Sequence, residues 1–420
     1  MIDTVNWDWD NGEKKVAVGS WSDEFRWVEE YQVSPDGEKV AAIVNIDEGE
    51  FNVCANGETW ENSFDKIWHL RYTADGRLTA LVSEMGEWTV AVDGTAWESR
   101  FGYVWNPIYS ADGKHVAVAA QQDMQYCMVL DGEAWDKSYS NMTYFALSPC
   151  GTKTAAAVQV APVDSGQIHK FKEGTFSAAL NGKAWDAQFV NVWNLAVSQD
   201  GRHLAAEVRL TLYDYTIAVD GVAWDKTFAC VWEPVFHPKT RAVIAPVRIG
   251  GQWTLAEDGN MLWERRFVQV WKQMFSPDGD KLAAVVAPKY GLWTVAVDGL
   301  PWAMTFRDMV SDVVFSPDGK RIAALGKDGS TWKVAIDGAA WTHAFDMAWQ
   351  PVFSPDSSKV AAKVEKDGKY TFVLDDRPRS QAYDAAWDPV FSPDSQKILL
   401  KFIDKGTYCR RVVPVNEFNR

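Results

Sequence analysis

Long apolar runs are missing from the 420-residue chain: none approaches the roughly 18 consecutive apolar residues of a membrane-spanning helix. Its start, Met1 to Asp8, has neither the basic nor the apolar region of a secretory signal, so a cytoplasmic chain is the expectation. Cysteine is scarce. The five residues Cys54, Cys127, Cys150, Cys230 and Cys409 are odd in number and scattered, without the close pairs of a zinc or iron–sulfur loop. They read as reduced core or edge residues. Basic residues are outnumbered, 42 Lys and Arg against 57 Asp and Glu, for a formal charge of −15. No long basic run offsets this, which argues against a nucleic-acid partner. Catalytic signatures are also missing: there is no Gly-x-Ser-x-Gly elbow, His-Glu-x-x-His, Walker loop or dinucleotide fingerprint. The six His residues fall at different points of the repeat described next, and no Cys-x-x-Cys-His could hold haem. The chain is therefore expected to carry no catalytic residues, no metal and no cofactor of its own.

What the sequence does have is a repeat. Ser-Pro-Asp-Gly occurs at Ser34 to Gly37, Ser276 to Gly279 and Ser316 to Gly319, with variants starting at Thr73, Ser110, Ser148, Ser198, His237, Ser354 and Ser392. The spacing of about 40 residues is the length of one four-stranded propeller blade. Each unit reads as two hairpins. A first turn of this kind is followed by an apolar run such as Trp293-Thr294-Val295-Ala296-Val297, which closes at Asp298-Gly299. Asp-Gly between β-branched and aromatic residues is a strong hairpin signal, because both residues tolerate positive φ. The recurring Asp of the first turn is expected to cap its own turn rather than to bind calcium.

An aromatic ladder links the units. Trp60, Phe64 and Trp68 stand four apart, and the triple recurs as Trp97/Phe101/Trp105, Trp185/Phe189/Trp193, Trp224/Phe228/Trp232, Trp263/Phe267/Trp271 and Trp341/Phe345/Trp349. Each triple lies between a Gly-containing turn and a Pro or β-branched run, too short a space for a stable helix. It reads as an outgoing strand, a corner and the next incoming strand, with the rings packed between neighbouring sheets. With 47% hydrophobic residues and 23 Trp, the composition allows a large core. The expected fold is an all-β propeller of about ten four-stranded repeats over residues 1–420, as one closed ring, two smaller propellers being the alternative. Lys15 to Phe25 resembles the tail of a repeat and Trp387 to Val415 a head, so the two termini are expected to complete one blade and hide its edges.

Breaks in the repeat point to partners. The step from Ser148 to Ser198 is about ten residues longer than the mean, and the excess lies in a loop insertion at 159–175. His169, Lys170, Phe171 and Lys172 form a basic-aromatic patch there, and loops on rigid scaffolds are where binding residues concentrate. Trp7 and Trp9 precede Asn11-Gly12 outside the ladder, suited to packing over the closure or to inserting into a partner. These six are the candidate partner-binding residues.

The turns Phe275 to Gly279 and Phe315 to Lys320, with Phe353 to Asp356 and Phe391 to Asp394, resemble the repeats of TolB-like and WD-repeat propellers over nearly the full chain. A narrower resemblance is to the TmcD family, the tryptophan-rich subunit of the Tmc membrane redox complex of sulfate-reducing bacteria. It rests on length, Trp density, the Trp-x-x-x-Phe-x-x-x-Trp ladder and the Asp-Gly-x-Ala-Trp segments Asp93 to Trp97 and Asp220 to Trp224. That resemblance implies a cofactor-free, non-catalytic scaffold, peripheral at the inner membrane. Its partners would be an iron–sulfur subunit and a membrane cytochrome b, in a complex linking periplasmic cytochrome c to cytoplasmic redox chemistry. A propeller that binds a ligand, or an enzyme with a site at a channel mouth, is the alternative function.

Overall fold

The computed structural model describes residues 4–10, 12–162 and 172–418. It is all-β, with ten four-stranded blades in the arrangement of a ten-blade β-propeller. In chain order the blades cover 27–59, 66–96, 103–134, 142–184, 191–223, 235–261, 269–301, 309–340, 347–378 and 385–414. Two of them count five strands, because their first strand is split in two. The tenth blade takes its outer strand from the other end of the chain. Glu13–Val16 pairs antiparallel with Thr407–Pro414, matching Lys14 to Arg410 and Val16 to Tyr408. Between that strand and the first blade, Trp21–Glu24 forms one helical turn in place of the strand tail read from the sequence.

The two turn motifs of the repeat hold each blade in register. In the first turn a Ser or Thr hydroxyl donates to the Asp two residues on, as Ser34 to Asp36 at 2.6 Å and Ser316 to Asp318 at 2.6 Å. The same carboxylate accepts a backbone N–H, from Glu38 and from Lys320. These two donors hold the Asp318 carboxyl down at about 2. In the second turn the Asp or Asn before Gly takes a positive φ, 49° at Asp298, and accepts the N–H that begins the second strand, Leu282 at 2.9 Å. Nine blades share that bond. The Gly that follows is also required by its neighbour. A Cβ on Gly94 would lie 2.9 Å from the Trp60 ring, and Trp97, Trp185 and Trp224 likewise pack on the Gly of the next blade's second turn.

The middle rung closes the corner. Phe345 bridges to Trp332 and Phe101 to Trp88 through antiparallel backbone pairs. The core lies between successive sheets. Trp332, Trp341 and Phe345 share one cluster with Val360 and Val373 of the following blade, as the ladder predicts. Phe345 is 4% exposed, whereas Phe228 is only half-buried, so the rungs are not equivalent.

Contacts divide the chain into two compact units. One spans 1–2, 48–52 and 60–266 and holds the second to sixth blades. The other spans 3–47, 53–59 and 267–420 and holds the seventh to tenth blades with most of the first. Among the described residues no helix is long and apolar enough to cross a membrane.

Candidate interaction sites

Four of the candidate partner residues stand in or beside the insertion of the fourth blade. Thr154–Gln159 leads into it and Phe176–Leu180 leaves it. Lys172 is exposed at its end, while His169, Lys170 and Phe171 lie outside the described residues. Trp7 and Trp9 are half-buried and stack on each other, centroids 6.1 Å apart. Their backbone is held by cations of the tenth blade: Lys397 Nζ donates to the Trp9 carbonyl at 2.9 Å and Arg410 Nη2 to the Asp8 carbonyl at 2.5 Å.

Arg410 belongs to a row of charges that periodicity did not reveal. Lys401, Arg410 and Lys14 face one another across three adjacent strands. Lys401 Nζ donates to the Pro35 carbonyl at 3.1 Å and Arg410 Nε to the Asp36 carbonyl at 2.9 Å. Tyr408 adds its hydroxyl to the Gly37 carbonyl at 2.7 Å, and Lys14 pairs with Glu38 at 2.6 Å. Together these groups grip the first turn of the first blade and the chain entering the tenth. In other blades the place of Arg410 is taken by apolar side chains such as Val90, Met128, Ile217, Leu255 and Val334, all buried.

A second set of charges, two buried and one half-buried, occupies one position of the second strand. That position is Ile43, Leu81, Ala119, Ala157, Pro246, Val285 or Leu325 in seven blades, and Glu207, Lys363 or Lys401 in the other three. Asn194 Nδ2 donates to Glu207 at 2.7 Å. Burial, reinforced by the nearby Glu233 charge, still pushes the Glu207 carboxyl up to about 7. Lys363 lies 4.3 Å from the centroid of the Trp349 ring and pairs with Asp388 of the following blade at 3.4 Å. Lys401 is wholly buried, which pulls its amine down to about 8 against the favourable charges of Asp388 and Asp36. Beside Glu207 the first strand turns at Asn194, whose φ is positive, as it is at His69, Asn106, Tyr144, Lys272 and Asp312 in the first strands of other blades. Aligning the repeats on their turns would have exposed these positions, since the charge substitutions are visible there one blade at a time.

The five cysteines are free, Cys54 and Cys409 being buried, and no metal-ligand cluster occurs among the described residues. Cys150 occupies the Asp place of the fourth blade's first turn. The Ser148 and Thr152 hydroxyls, each 3.2 Å from its sulfur, pull the thiol below its usual range.

No protein-family model and no curated protein matches the chain. A solved structure described as the crystal structure of the eukaryotic initiation factor is similar to it with a TM-score of 0.49 and 14% sequence identity. The match covers 78% of this chain and 89% of that one.

Proposed function

We propose that the chain is a non-catalytic interaction subunit of a membrane-associated electron-transfer complex, without a cofactor of its own. The observation that carries the interaction reading is a set of exposed apolar hairpin tips. Between the second and third strands, the second, third, fifth and seventh blades end in Met85, Met124, Tyr213 and Tyr290, exposed by 93%, 71%, 80% and 93%. The fourth blade carries the 159–175 insertion at the same place in its hairpin. Met and Tyr are side chains that interfaces favour, and an exposed set at corresponding positions of neighbouring repeats costs solubility unless a partner covers it. The buried charges, by contrast, are engaged with backbone carbonyls and neighbouring side chains, which suits structural work better than turnover.

The redox setting rests on the resemblance of the tryptophan ladder to the TmcD family. It names an iron–sulfur subunit and a membrane cytochrome b as partners, and a peripheral place at the cytoplasmic side of the inner membrane. Fractionation of the native host tests this reading. The chain should sediment with washed membranes and move to the soluble fraction when the cytochrome b gene is deleted. A chain that is soluble in both strains contradicts it.

A further inference from the structure

Two of the first turns break the acidic rule of the repeat, and they flank one groove. Eight turns pair a Ser or Thr hydroxyl with an Asp carboxylate. In the fourth blade Cys150 stands in the Asp place. In the sixth blade His237 replaces the Ser and Lys239 replaces the Asp, within His-Pro-Lys-Thr-Arg.

The sixth turn keeps its shape by different chemistry. His237 Nδ1 accepts the Lys239 N–H at 3.0 Å and the Thr240 N–H at 3.3 Å, doing the work of the missing hydroxyl and carboxylate. Thr240 stands where other turns place Gly, and a β-branched residue resists positive φ, so the left-handed residue moves one place on, to Arg241 at φ 67°. The charge at the Asp position has been inverted.

Beside these turns lies an open groove of about 600 Å³ that runs over the first strands of the fourth, fifth and sixth blades, inside one unit. Its floor is apolar, with Leu147, Leu195, Val235 and Phe236. Its rim carries His237, Lys239 and Arg241, and Asp200 is the one carboxylate among the described lining residues. Arg241 stands 3.8 Å from Asp200, partly neutralising it. A basic rim over an apolar floor is thus set into a chain of net charge −15. The first strands end their sheets, so the groove is also bordered by strand edges.

We propose that this groove docks an extended acidic segment of a partner protein, with apolar side chains on the floor and carboxylates at His237, Lys239 and Arg241. Charge complementarity selects an acidic occupant, and an open groove across three strand edges suits an extended peptide. The proposal deepens the interaction reading by naming one docking surface and the chemistry of what it takes.

The test uses the full chain and a fluorescein-labelled peptide of alternating Glu and Leu, with a Gln-for-Glu peptide as its neutral counterpart. The variant His237→Ser, Lys239→Asp, Thr240→Gly, Arg241→Lys rebuilds the Ser-Pro-Asp-Gly-Lys turn of Ser316 to Lys320, a sequence this fold already accommodates. A circular-dichroism melt checks that the variant folds. Anisotropy should show the acidic peptide binding the native chain, about tenfold weaker binding to the folded variant, and similar weakening for the neutral peptide or in high salt. Equal binding to native chain and variant, equal binding of both peptides, or no binding to the native chain overturns the proposal. A variant that still sediments with membranes while losing the peptide leaves the subunit reading intact. Failure of the docking surface and failure of the complex are therefore separable.

Discussion

Glu207, Lys363 and Lys401 replace apolar side chains at one position of the repeat, and each meets the cost of leaving water differently. Lys363 has a tryptophan face and a carboxylate; Lys401 has a backbone carbonyl and two carboxylates at longer range. Glu207 has an amide donor but a second carboxylate nearby, so it holds a proton instead. The sign of the pH effect follows. Its carboxyl titrates near 7 in the folded chain against an ordinary 4.5, so the folded chain binds the proton more tightly than the unfolded one. The resulting stabilisation is complete below pH 4.5 and is lost as the pH rises through 7. Glu207→Gln keeps the neutral form at every pH. Its melting temperature should lie close to that of the native chain near pH 4 and above it near pH 8. A difference that stays constant between these values would place the Glu207 charge outside the balance.

The element that carries the fold is the corner between blades. Its three aromatic rungs serve separate contacts: the first Trp, as at Trp60, Trp97, Trp185 and Trp224, lies on the Gly of the next blade's second turn, the Phe bridges back to the third strand, and the second Trp leads into the next sheet. Phe345→Ala removes a ring that is 4% exposed within a cluster shared by two blades, and should cost about 3 to 5 kcal/mol. Urea unfolding measures this, and a loss below about 1 kcal/mol would contradict interblade packing. This layer was legible in the sequence because turn residues and four-residue spacing are local signals. The hairpins, the ladder and the capping Asp all follow from such signals. The charges of the tenth blade were not legible in that way. Lys401 and Arg410 are buried under the first turn of the first blade and, for Arg410, beside the paired strand Glu13–Val16. Their partners, the Pro35 and Asp36 carbonyls, are more than 360 residues away in sequence.

For the whole molecule, ten similar blades repeat one design, and individuality lies in the departures from it. The insertion, the inverted sixth turn and three exposed apolar hairpin tips belong to the unit spanning 60–266, and a fourth tip, Tyr290, belongs to the other. The other unit also joins the two ends of the chain. The candidates read from the sequence divide between the units: Lys172 belongs to the one spanning 60–266, whereas Trp7 and Trp9 are tied by their backbone to the tenth blade. The central claim is that the chain works by assembling other subunits. The most direct measurement is affinity purification of the tagged chain from host membranes in mild detergent, with partner stoichiometry read by quantitative mass spectrometry. Iron–sulfur and cytochrome b subunits recovered in near-equal amounts with the chain are the predicted result; a chain recovered alone, with no subunit in comparable amount, would contradict the account.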